Sequence, residues 1–147
     1  MIALSSSSID PVALGAEFLN GLAGAGAVAT FTGLVRPEGG KQVEALFIDH
    51  AAGITEPAIE GAVAEAKRRW PLIAVSIAHR IGRVPAGEPV VFVATAAEHR
   101  RAAFEACDFL MDYLKTDAPF WKKQISRSGD EWIEPRAEDY TDSGRWR

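Results

Sequence analysis

Apolar positions along the chain recur with two periods, and the alternation between them predicts the elements. Asp10-Pro11 pairs a capping carboxylate with a proline suited to a first helical turn, and Leu14, Phe18, Leu19 and Leu22 follow at helical spacing, which predicts a helix over 11–22. Gly21, Gly24 and Gly26 end it. AVATFTGLV (27–35) is rich in β-branched and aromatic residues and reads as a buried strand; the PEGGK turn (37–41) breaks it, and VEALFIDH (43–50) reads as its antiparallel partner. Thr55 is placed to cap a second helix with Ile59, Ala62, Val63, Ala66 and Trp70 on one face, cations Lys67, Arg68 and Arg69 in its last turns, and Pro71 as its stop. IAVSIAHRIG (73–82) and PVVFVATAA (89–97) are strands joined by the turn-forming VPAGE. Ala103, Ala106, Cys107, Leu110 and Leu114 mark a third helix over about 98–115. FWKKQISR (120–127) and EWIEP (131–135) flank Ser128-Gly129-Asp130 as a hairpin. The tail, about 137–147, is polar and open to mobility, although Trp146 suggests docking. The predicted order is αββαββαββ. Its strand connections are too short for crossover helices, so the strands pair antiparallel and the class is α+β.

Composition bounds this picture. With 147 residues, 48% hydrophobic and 24% charged, the chain has the make-up of a single domain, 1–147, able to bury a core without disulfides or a structural metal. The lone Cys107 forms no intrachain bridge, the N-terminus lacks the basic and apolar regions of a secretory leader, and no apolar run reaches membrane-span length; a cytoplasmic protein is expected. Residues 1–60 carry two Lys/Arg against seven Asp/Glu, a balance of −5, whereas 61–147 carry fourteen against thirteen. With a pI near 5.4 and no long basic stripe, nucleic-acid binding is disfavoured, and any anion site must be a local cluster.

Most motif-like stretches fail on context. GAGAVA (24–29) matches a dinucleotide fingerprint but stands after a helix and before a strand, the reverse of the required order. GGKQ (39–42) lacks the first glycine and the final hydroxyl of a phosphate loop, and reads as a turn. His50, His79, His99 and Cys107 show no metal-ligand spacing, and Cys107 falls on the apolar face of the third helix as a core thiol. What stands out is a set of cations at element ends: Arg36 after TFTGLV, His99-Arg100-Arg101 in a first helical turn, Lys115 closing that helix, and Lys122-Lys123 after PFW. Cations in a first turn oppose the helix dipole, which favours an anionic ligand at His99-Arg100.

ATFTGLVR (29–36), HRIGRVPAGEPVVFV (79–93), EHRRAAFEACDFLMDYLKTDAPFWKK (98–123) and EWIEPR (131–136) together resemble the large, catalytic subunit of molybdopterin synthase. The resemblance spans about residues 26 to 136. It implies an α/β hammerhead-type fold with additional antiparallel sheet, and a homodimer within a heterotetramer that binds a small ubiquitin-like sulfur-carrier subunit ending in Gly-Gly. The implied reaction adds two sulfurs, delivered as the carrier's C-terminal thiocarboxylate, to cyclic pyranopterin monophosphate. No permanently bound cofactor or metal is implied. Lys115 and Lys122 match the catalytic lysines. Leu34, Val35, Arg36, His99, Arg100, Lys123 and Gln124 match substrate-contacting positions, and Arg136 matches a basic residue that enters the neighbouring protomer's pocket. Phe31, Gly33, Met111 and Phe120 are candidate walls for the carrier tail's channel.

These residue types suit the implied chemistry. Phosphate and thiocarboxylate are both anions, and attack at the acyl carbon develops further negative charge that fixed cations stabilise. Arg36 offers a fork for phosphate, and paired lysines suit acid–base, electrostatic or covalent work. Three departures stand beside the match: Gln124 occupies a position where Glu is expected, HAAGI (50–54) lacks the Tyr and Met of the corresponding segment, and the first 25 residues carry no diagnostic motif. Other readings are a non-catalytic carrier-docking module and a generic phosphate-binding α+β domain.

Overall fold

The computed structural model describes residues 1–36 and 43–147; the PEGGK turn (37–41) and the GGKQ stretch (39–42) lie outside the described residues. Along the chain run β1 (Ile2–Ser5), α1 (Pro11–Leu19), β2 (Ala27–Leu34), β3 (Val43–His50), α2 (Thr55–Arg69), β4 (Leu72–Arg80), β5 (Gly82–Pro85), β6 (Pro89–Ala97), α3 (Arg100–Thr116), β7 (Phe120–Ser126), β8 (Gly129–Ile133), α4 (Ala137–Ser143) and a final 3-10 turn (Gly144–Trp146). The α+β class stands, but the order differs from αββαββαββ. The four-residue β1 pairs parallel to β4, and β5 forms within a segment read as part strand and part loop. The shortness of both explains why no periodicity announced them.

The strands form two sheets, ordered β1-β4-β6-β2 and β5-β3-β7-β8. Thus β3 is not the partner of β2, as its proximity in sequence suggested. Instead β2 lies antiparallel to β6, while β3 pairs with β5 and β7 in the second sheet. Nearest-neighbour pairing is the cheapest loop closure, yet burial decides otherwise: β4 and β6 are covered on both faces and take the centre of the first sheet. Their alternate residues Val75, Ile77, Val91 and Val93 pack with α2 and α3 through Ile59, Ala66, Cys107 and Leu110. Ala78, Phe92 and Ala94 face the other way, toward Leu14 and Phe18 of α1. Two-sided burial is what made these strands read as continuous apolar runs. The chain leaves the first sheet at Arg80 and enters the second at Gly82, whose φ of +80° is a left-handed turn that glycine adopts without strain.

Local chemistry sets the helix limits. Asp10 caps α1 by accepting from the Val12 and Ala13 N–H groups at 3.1 and 3.2 Å. Thr55 is the first residue of α2 rather than its N-cap. Its buried hydroxyl accepts from the Ala51 N–H and donates to the Pro119 carbonyl, both at 2.9 Å, tying the start of α2 to the entry of β7. The β7–β8 hairpin turns at residues 127 and 128, one or two positions earlier than the sequence indicated.

The C-terminal segment packs against α2 and α3. Trp146 sits edge-on to Trp70 and Phe109 at centroid distances of 5.5 and 5.7 Å. Its Nε1–H donates to Asp112 Oδ2 at 2.6 Å, and Arg69 donates to its carbonyl at 2.6 Å, so the chain end fastens α2 to α3. Among the described residues no helix is long and apolar enough to cross a membrane.

Candidate active site

A cavity of about 530 Å³ lies where the C-terminal end of α3, the segment following β2, the inner face of the second sheet and the start of α4 meet. This is the size range of small-molecule sites. Arg36, Lys115, Lys122 and Arg136 line it, against the carboxylates of Glu134 and Asp139. Leu34, Val35, Met111, Phe120 and Gln124 contribute to the same wall. Four cations from four separate segments thus converge on one space, and a ligand of negative charge is what such a cluster attracts.

Each cation is placed by a local cause. Lys115 stands in the last turn of α3, directly after the buried Leu114, where a cation also complements the helix dipole. Lys122 opposes Ile48 of β3 and Ile133 of β8, so it shares the inner face of the sheet with Phe120 and Gln124. The same alternation sends Lys123 to the outer face. There its ammonium lies over the rings of Phe47 at 5.5 Å and Trp132 at 5.2 Å, so the structure does not bring Lys123 into the cavity.

Arg36 is positioned by its neighbour. Val35 is buried at 5% exposure, donates to the Glu88 carbonyl at 2.9 Å and accepts from the Gly87 N–H at 2.7 Å. That turn is held in its place by Arg80, whose buried guanidinium pairs with the Glu88 carboxylate at 2.7 Å and donates to the Arg83 carbonyl at 3.3 Å. Arg136 precedes α4 as its N-cap, with its backbone N–H donating to Asp139 Oδ2 at 3.0 Å and its guanidinium 3.4 Å from Oδ1. It lines the cavity of its own chain.

His79, like Glu134, Asp139 and Tyr140, is a cavity residue to which sequence reasoning assigned no role. It is 3% exposed, lies on the α3-facing side of β4 with Ile77, and stacks on Phe120 at 4.2 Å with an interplanar angle of 18°. Burial pushes its pKa down to about 4, and the positive charges of Lys122 and Lys115 push the same way, so the ring is neutral near pH 7. Nδ1 lies 2.7 Å from the Arg80 carbonyl. Its signal in the sequence was the HRIG motif at the end of an apolar strand; its nearness to Lys115 and Lys122 is set by the fold.

Other expected residues lie elsewhere. His99 and Arg100 stand exposed at the start of α3. At 1.5 Å rise per residue that is about 22 Å along the helix from Lys115, so one chain does not bring them to this cavity. Phe31, 41% exposed, and Gly33 lie on the edge strand β2 and do not line the cavity, unlike Met111 and Phe120. Gly33 has a packing reason: a Cβ there would meet Val91 Cγ1 at 2.7 Å. Cys107 is a core thiol whose pKa burial raises to about 11, which removes it as a nucleophile near neutral pH. Among the described residues no three His, Cys, Asp or Glu side chains gather as metal ligands would.

Three comparisons bear on this arrangement. The model of the MoaE protein family matches residues 4–117. The molybdopterin synthase catalytic subunit of Pseudomonas aeruginosa is 51% identical over 124 residues, covering 84% of this chain and 83% of that protein. That of Caulobacter vibrioides is 49% identical over 146 residues, covering 99% and 97%. Among solved structures, a molybdopterin biosynthesis MoaE protein from Burkholderia ambifaria gives a TM-score of 0.81 at 42% identity, covering 99% of this chain and 97% of that one.

Proposed function

The chain belongs to the MoaE protein family, and from that premise we propose that it is the catalytic subunit of a molybdopterin synthase, an enzyme of molybdenum cofactor biosynthesis. Its substrate is cyclic pyranopterin monophosphate, and its sulfur donor is the C-terminal thiocarboxylate of a small ubiquitin-like carrier ending in Gly-Gly. The working assembly is a homodimer of this chain with one carrier at each end. No cofactor is held permanently.

The observation that carries this reading is the convergence of Arg36, Lys115, Lys122 and Arg136 on one cavity. In each transfer the thiocarboxylate sulfur forms a C–S bond on the substrate in place of a C–O bond, and water cleaves the acyl–sulfur bond so that the carrier ends as a carboxylate; two carriers are therefore consumed per dithiolene. Negative charge builds on the acyl group during each transfer, and the ammonium groups of Lys115 and Lys122 are the fixed charges that stabilise it. Arg36, held through Val35 by the Glu88 turn, suits the phosphate by its planar fork. Gln124 lines the same wall as an amide and supplies hydrogen bonds, not a carboxylate.

The test is turnover. The purified chain, mixed with thiocarboxylated carrier and cyclic pyranopterin monophosphate, should yield a product with two added sulfurs by mass spectrometry, and none without the carrier. A carrier lacking its last two glycines should dock without donating. Docking of the intact carrier with no product would establish the non-catalytic docking module instead.

A further inference from the structure

His79, the penultimate residue of β4, stands at the cavity wall, and its ring is fixed in two directions. Phe120 covers one face at 4.2 Å in a near-parallel stack, and Nδ1 lies 2.7 Å from the Arg80 carbonyl oxygen. A carbonyl only accepts, so Nδ1 carries the proton, and the second nitrogen, Nε2, is left with an open lone pair. The side chain is almost wholly buried and lines the same cavity as Lys115 of α3 and Lys122 of β7. We propose that His79 is a positioning residue for this lysine pair: its locked ring presents Nε2 as an uncharged hydrogen-bond acceptor that orients the Lys122 ammonium in the cavity.

The charged and titratable groups around it support that role. Lys122 and Lys115 approach from β7 and α3, and their charges disfavour a third cation on the ring. Arg80, next on β4, turns its guanidinium to Glu88 and Arg83. Among the described residues Arg36, Arg136, Glu134, Asp139 and Tyr140 are the other ionisable groups that line the cavity. A neutral acceptor holds an ammonium in place without cancelling the positive field that an anionic substrate requires.

The assignment rests on the sulfur-transfer reading only where turnover is measured, so the first test avoids turnover. In 15N NMR of the full chain near neutral pH, His79 should show a protonated Nδ1 and an unprotonated Nε2. Lys122→Ala should move the Nε2 resonance more than Lys115→Ala does, while the tautomer stays the same. A protonated Nε2, or a resonance indifferent to both lysines, overturns the proposal whatever the enzyme's reaction. The second test uses two amides. His79→Asn keeps a donor for the Arg80 carbonyl but falls short of the Nε2 position, whereas the longer His79→Gln restores an acceptor there. His79→Asn should lower kcat about tenfold or more with KM little changed, and His79→Gln should recover part of that loss. Wild-type kcat in His79→Asn, or equal losses in both variants that follow their melting temperatures, would leave His79 a packing residue only.

Discussion

Replacing Trp146 by Ala should unlatch the C-terminal segment, and the contacts set the size of the effect. Two edge-to-face ring pairs, with Trp70 and Phe109, are lost at about 0.5–1.5 kcal/mol each. The Nε1–H bond to the Asp112 carboxylate is lost as well, although Asp112 keeps Arg145 at 2.8 Å and is not left as a stranded charge. Trp146 is only partly buried, so the total comes to about 3 kcal/mol, or about 6–12 °C in melting temperature for a chain of this length. Trp146→Phe keeps the rings and loses the bond, and should cost about 1 kcal/mol. Urea unfolding followed by tryptophan fluorescence and by far-ultraviolet circular dichroism gives both free energies. Because α4 carries Asp139 and Tyr140 and follows Arg136, turnover should fall with the Ala variant even where the chain remains folded. An unfolding free energy within about 0.5 kcal/mol of wild type would mean that the end of the chain does not fasten α2 to α3, and the reasoning would fail.

Lys115→Ala and Lys122→Ala should each lower turnover by about a hundredfold or more with the fold intact, while Lys123→Ala, on the outer face, should change it by no more than about twofold; equal losses at Lys122 and Lys123 would contradict the strand alternation. Glu88→Ala leaves the buried Arg80 guanidinium with only the Arg83 carbonyl and should cost about 2 kcal/mol, less than a fully buried pair because Glu88 is itself part-exposed; a negligible shift in the urea midpoint would show the pair to be dispensable. His79 is held neutral, so as pH falls below about 6.5 the unfolded chain gains a proton that the native state refuses until about pH 4. Its contribution to stability is therefore complete above about 6.5 and declines by roughly 3 kcal/mol down to about 4, and His79→Gln should flatten that part of the stability-against-pH curve relative to wild type. Arg36→Ala should weaken binding of the pterin phosphate in titration calorimetry and Arg36→Lys should restore it only in part, since an ammonium lacks the two-pronged geometry; unchanged affinity in both would remove Arg36 from the substrate site.

How legible each feature was depended on whether its cause is local. The amphipathic pattern of α3, the Asp10-Pro11 start of α1 and the apolar runs of β4 and β6 are properties of neighbouring residues, and all were readable within one or two turns or positions. The four-residue strands β1 and β5 are too short for a period, and each exists because a longer strand offers it an edge. The ambiguity of Lys122-Lys123 illustrates the limit for the site. Adjacent lysines look equivalent in a motif, yet once β7 pairs with β3 and β8 the pleat assigns one to the cavity and the other to Phe47 and Trp132.

By itself, then, the sequence determined α1, α2 and α3, the central strands, the α+β class, the core placement of Cys107 and the identity of the cations at element ends, because these follow from spacing, capping and residue type over a few positions, whereas the polar segment that forms α4 gave no such signal. The tertiary structure alone decided that β3 leaves β2 for a second sheet, that the polar C-terminal segment closes over Asp112, and that Arg36, Lys115, Lys122 and Arg136 share a cavity while His99 and Arg100 stand at the far end of α3. The physical reason is range. Propensity and periodicity act between residues a turn or a pleat apart, whereas strand partners and cavity walls are chosen by which distant surfaces bury one another best, and no window along the chain contains both halves of that choice.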